Sequence, residues 1–275
     1  MIRSSPGRRV TYSEVVRRLA LSLVAALVAG GVLAGCAIPT EKWTDPLPYG
    51  EFEDEALDAV NVYRVSDGVL EPEPSARAEE VWDAFREVAG ERADQIREMR
   101  AGDSGDVDTA AYVSHDVDPR FWVLGVNLAY SRDPTMRETL VHEFAHMLSL
   151  SVDQVDIGRL DCTTFEIADG CARTQSYIVA FDDEFWKDYG PSAPAADNGD
   201  PEAASALYAE HEADFVTEYA ATSVGEDFAE TFVTFVAEPT PTGQDNSLVA
   251  DKLRFFYGYP DLVAERDRIR SAAGY

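Results

Sequence analysis

The segment Thr139-Leu140-Val141-His142-Glu143-Phe144-Ala145-His146-Met147-Leu148 constrains this chain more than any other. Residues four apart share one face of a helix, so both imidazoles can reach a single zinc ion. Glu143 follows the first of them and can point at water on that ion. Phe144, Ala145, Met147 and Leu148 are all uncharged, so the helix is apolar enough to lie buried beneath a cleft. Histidine is otherwise scarce: the chain has four, and His115 and His211 stand in no local metal pattern and are expected to be structural or surface groups. A buried helix with two core histidines is the plainer alternative.

The N-terminus carries a different signal. Residues 1–35 hold Arg3, Arg8, Arg9, Arg17 and Arg18 against Glu14 alone, followed by the apolar run Leu19 to Ala34. That run is shorter than the roughly 20 residues needed to span a bilayer comfortably and has the layout of a secretory signal. It ends in Leu33-Ala34-Gly35-Cys36, which resembles the lipobox of bacterial lipoproteins; that likeness implies a lipid on Cys36 and an extracytoplasmic, membrane-anchored location. Residues 1–35 then form the signal peptide, 36–50 a Pro-containing tether and 51–275 the domain. With Cys36 set aside, Cys162 and Cys171 remain, and a close pair in an exported protein is expected to form a disulfide. The 51 acidic residues against 23 basic ones give a formal charge of −28, which opposes any general affinity for nucleic acid.

Along the domain, Ala78, Val81, Trp82, Phe85, Val88 and Ala89 recur at helical spacing, predicting an amphipathic helix within 75–100. Gly102 to Asp108 reads as an acidic solvated turn. Ala110 to Ser114 and Phe121 to Leu128 read as strands, either of which could serve as a substrate-binding edge. Asp133-Pro134 predicts an N-cap and first position for the histidine helix, ending near Leu150. Residues 190–203 form a loop, and helical patterns follow at about 202–215, 225–237 and 247–271.

At His142-Glu143-Phe144-Ala145-His146 the chain resembles the zincin metallopeptidases. Ser149 and Val152 replace the Gly and His of the metzincin extension, so a later acid has to supply the third ligand. Glu226 and Glu230 lie four apart on one helical face among Phe228, Phe232, Val233 and Phe235, where acids are costly unless paired or bound to a cation. A solvated helix N-terminus is the alternative for this pair. The layout Tyr219, Glu226, Glu230 resembles the lethal-factor-like and Pro-Pro endopeptidase group, although the stretch from His146 to Glu226 is longer than in its compact members. The resemblance implies an α+β, zincin-like metallopeptidase domain, mainly helical, with a small mixed sheet whose edge strand flanks the active-site helix. It also implies zinc held by His142, His146 and Glu226, Glu143 as general base, Tyr219 as donor to the oxyanion and Glu230 behind a ligand histidine. The expected partner is a peptide or protein substrate, with the chain acting as a monomer. Asp214 or Asp227 as third ligand, and a non-catalytic domain that binds a partner or metal, are the competing readings.

Overall fold

The computed structural model describes residues 56–273 except 59, 106–108, 160, 165, 168–169 and 196–199. The signal segment, the tether and Cys36 lie outside the described residues, as does part of the acidic turn after Gly102. The architecture is mixed α+β.

A five-stranded sheet forms one layer, with spatial order β2-β1-β3-β5-β4. Its strands are β1 (Asn61–Ser66), β2 (Val69–Glu71), β3 (Ile96–Gly102), β4 (Ala111–His115) and β5 (Trp122–Asn127). The β3–β5 pairing is parallel and the others are antiparallel. Strand β5 is buried along its whole length, as an interior strand should be. Opposite it, Tyr112 pairs with Gly125, where an added Cβ would fall about 2.0 Å from the Tyr112 ring. The glycine therefore lets the aromatic ring lie flat across the sheet. Where β5 ends, the buried Asn127 side chain accepts from the Ser104 and Ala129 N–H groups and donates to the Ser104 and Thr109 carbonyls. These bonds tie the connection between β3 and β4 to the end of β5.

Of the two strands that qualified as the edge, β5 is interior and β4 is the edge. A second, three-stranded sheet has the order β6-β8-β7, from β6 (Val155–Ile157), β7 (Glu166–Ile167) and β8 (Gly170–Ala172). Cys171 on β8 is joined to Cys162, with Cα atoms 5.2 Å apart.

Helix α1 (Ala76–Ala89) opens with the Ser75 side chain accepting from the Ala78 N–H and stops at Gly90, whose φ of 58° admits a glycine readily. The helix expected to continue toward residue 100 ends here: Ile96 onward belongs to β3, with Ile96, Met99 and Ala101 buried. Burial in the sheet overrides the helical spacing of the preceding segment. Helix α2 (Met136–Ser149) carries the histidine motif and starts two residues later than expected. Asp133 instead accepts from the N–H and hydroxyl of Thr135, closing a turn ahead of the helix.

Helix α3 (Tyr177–Phe181) is short and runs into a π-turn at Asp182–Trp186; α4 spans Pro201–His211 and gives way to a 3-10 turn at Glu212–Asp214. Helix α5 (Val224–Ala237) begins at Ser223, whose side chain accepts from the Glu226 N–H. The single C-terminal helix expected at 247–271 is two helices, α6 (Leu248–Phe256) and α7 (Pro260–Ala273). Pro260 has no N–H for an interior position, but suits the first turn of a new helix.

Helix α2 lies between α1, α5 and β4. Its Leu140, Val141, Phe144 and Met147 are fully buried. The apolar face of α5 packs Phe228, Phe232 and Phe235 against Phe256 at centroid distances of 5.0, 5.6 and 5.1 Å. Fully burying each such ring contributes about 1.5–3 kcal/mol. Helix α5 also packs directly against α2, and its first turn faces the histidines. Among the described residues, no helix is long and apolar enough to cross a membrane.

Candidate metal centre

Helix α2 presents His142 and His146 one turn apart, with their Nε2 atoms 3.0 Å from each other. From α5, Glu226 Oε2 reaches 3.0 Å from His142 Nε2 and 3.3 Å from His146 Nε2. Three potential ligand atoms thus converge from two helices. Among the described residues, this is the one group of three or more His, Cys, Asp or Glu side chains close enough to share a metal ion.

Their chemistry fits a tetrahedral cation. With bonds of about 2.0–2.1 Å, two ligand atoms of a tetrahedral zinc stand about 3.3–3.4 Å apart, close to the observed 3.0, 3.0 and 3.3 Å. Glu226 Oε2 is buried and has no partner in hydrogen-bonding geometry, despite its closeness to both rings. Buried lone pairs facing one another are costly unless a proton or a cation sits between them. Burial disfavours the charged form of His142, yet the Glu226 and Glu230 carboxylates beside it hold its pKa well above the ordinary value. Burial likewise works against the Glu226 carboxylate, but His146 and His142 outweigh it and hold the carboxyl well below its usual range. In the metal-free state the carboxylates thus keep a proton in the cluster, which a divalent ion would have to displace on binding.

Beyond the three converging atoms, His142 Nδ1 donates to Glu230 Oε1 at 2.7 Å, and Thr217 Oγ1 donates to Glu230 Oε2 at 2.7 Å. Glu230 therefore fixes the ring and tautomer of His142, leaving Nε2 free to point at the centre. The Glu230→Ala variant should weaken zinc affinity by about 10–100-fold, the usual cost of losing such a partner. Competition against a chelating dye measures it, and unchanged affinity would mean that the contact does not orient the ligand.

Glu143 is buried on the same helix. Burial raises its pKa, partly offset by the two histidines and by an N–H donated from Val113 on β4. The edge strand thus touches the motif helix directly. Tyr219 lies in a 3-10 turn (Tyr219–Thr222), its ring centroid 5.7 Å from that of His142. His142, Tyr219, Thr217 and Glu230 line a cleft of roughly 480 Å³ that continues along α2 and α5.

The competing third ligands stand elsewhere. Asp227 is turned away from the histidines, but it faces neither solvent nor a helix cap. It is fully buried, with Lys252 Nζ at 2.6 Å and Trp186 Nε1 donating at 2.8 Å. Asp214 accepts from the Tyr189 hydroxyl and lies 3.3 Å from His211 Nδ1. His115 stacks on Trp122 in the sheet, so neither remaining histidine joins the cluster. Glu226 and Glu230 are enclosed rather than solvated, with side chains 14% and 17% exposed.

Three participants were not read from the sequence. Thr217 and the Val113 N–H have no local signature, because their roles depend on which elements fold together. Lys252 did leave a trace, as one of only three lysines and set within the apolar stripe Ala250, Leu253, Phe256. No family model, curated protein or solved structure matches this chain.

Proposed function

We propose that the chain is a zinc-dependent endopeptidase with a zincin-like domain, acting outside the cytoplasm. The observation that carries this reading is the convergence of His142, His146 and Glu226 on one point, with Glu143 on the same helix beside them. A purely structural zinc site has no use for an additional buried acid adjacent to its ligands. Bound there, zinc would polarise a peptide carbonyl and acidify water.

The chain's own groups perform the rest. Glu143 accepts the proton of the attacking water and returns it to the leaving amine. Its burial moves its proton affinity upward, toward that of an effective base near neutral pH. The Val113 N–H holds its carboxylate in place. Tyr219, beside His142, donates a hydrogen bond to the oxygen that gains negative charge at the scissile carbonyl. Strand β4 offers an extended peptide an edge to pair with, adjacent to the motif helix. Substrate is thus a peptide or an unstructured protein segment.

The test is zinc content together with cleavage of reduced casein by the purified protein. One zinc per chain is expected, with cleavage abolished by 1,10-phenanthroline and restored by stoichiometric zinc. A zinc-loaded, folded protein that cleaves no unstructured substrate would overturn the peptidase assignment in favour of a non-catalytic metal-binding domain. Anchoring is tested separately. The Cys36→Ala variant should pass into the medium or stay unprocessed, whereas full signal cleavage with unchanged membrane association would contradict a lipid anchor.

A further inference from the structure

Asp227 and Lys252 are both completely shielded from solvent, and neither belongs to the converging cluster. Lys252 Nζ, from α6, lies 2.6 Å from Asp227 Oδ2 and donates to the Asp214 carbonyl at 2.7 Å. The same ammonium sits 4.1 Å above the centre of the Phe215 ring. Asp227 in turn accepts from Trp186 Nε1 in the π-turn at 2.8 Å and from Thr231 Oγ1 at 3.1 Å. Two other segments, α6 and the π-turn, therefore meet at one carboxylate in the first turn of α5, and the segment around Asp214 and Phe215 meets the ammonium.

A buried ion pair is a poor source of net stability, because desolvating both charges offsets their attraction. What such a pair does supply is direction, since each partner has few satisfactory positions. Asp227 directly follows Glu226, and consecutive helical residues point about 100° apart. Anchoring the Asp227 side chain toward Lys252 and Trp186 thereby sets which way Glu226 points. The Ser223 cap bonds only the backbone here, so it starts the helix without setting its rotation.

We infer that Asp227 and Lys252 are a positioning pair that sets the rotation of the first turn of α5 and holds Glu226 toward His142 and His146. This inference rests on the proposed zinc centre. It predicts that neutralising the pair damages metal binding more than folding.

The experiment uses the full chain carrying Asp227→Asn together with Lys252→Met. This removes both charges, while the Asn carbonyl still accepts from Trp186. The apo form is expected to keep its circular dichroism spectrum and melt within a few degrees of wild type. Its dissociation constant for zinc is expected to rise about 10–100-fold, as when a partner that orients a ligand is lost. The ligand-field spectrum of the cobalt-loaded variant should shift, which a merely stabilising role would not produce.

Trp186→Phe keeps the ion pair and removes one donor, and it should raise the zinc dissociation constant at least threefold. It decides the matter if the double variant does not fold. Zinc affinity and cobalt spectrum unchanged in a folded variant would overturn the inference while leaving the zinc centre standing. A wild-type protein that binds no zinc would overturn both.

Discussion

Glu143→Gln is expected to lower the cleavage rate by about 100- to 10,000-fold, the usual contribution of a positioned acid–base group. The substitution keeps size and shape, and the amide oxygen can still accept the Val113 N–H. What disappears is a group able to take a proton and return it. Stability should not suffer, because burial already works against the charged carboxylate and the neutral amide meets no such penalty. The measurement is zinc content, apo melting temperature and initial rate on one preparation. Retained zinc with cleavage near zero supports the role of base. Equal rates in variant and wild type would remove Glu143 from the chemistry and, with it, the peptidase reading.

Glu226→Ala is expected to strip the metal and the activity together. Helix α5 should survive the change, since its cap uses the Glu226 backbone N–H and its core contacts come from Phe228, Phe232 and Phe235. The difference should appear as lost linkage between zinc and stability. A ligand at 100 times its dissociation constant stabilises the native state by about 2.7 kcal/mol. For a domain of 150–250 residues each kcal/mol moves the melting temperature about 2–4 °C. Wild type should therefore gain roughly 5–10 °C with zinc, and Glu226→Ala almost nothing, while the two apo forms melt close together. A variant that still gains the full increment would show that zinc is held without Glu226. Asp227 is no substitute, since its carboxylate is committed to Lys252, Trp186 and Thr231.

Local spacing determined much about this chain. The four-residue offset from His142 to His146 sets two imidazoles on one helical face wherever that helix packs. The same period places Glu226 with Glu230 and turns Asp227 aside, and the structure retains both relations. The element types of β4, β5, α2 and α5 were also legible, the strands as runs rich in β-forming residues and the helices from their spacing and start signals. Boundaries were less so. Asp133 looked like a cap but closes a preceding turn, and the patterns across residues 75–100 and 247–271 concealed a strand and a helix break.

Tertiary structure alone decided how these pieces meet. The separation of α2 and α5 along the chain says nothing of the 3.0 Å between His142 Nε2 and Glu226 Oε2, which arises because α5 packs directly against α2 in the fold. That β4 rather than β5 is the edge depends on pairing between distant strands, as does the Val113 N–H that reaches Glu143. The environment of Asp227 likewise needed the fold. Sequence period turned it away from the histidines, but only the packing of α6 and the π-turn could show that it points into a buried ion pair instead of water. Helical and strand periods are properties of neighbouring residues, whereas ligand convergence, sheet order and desolvation are properties of segments far apart in the chain.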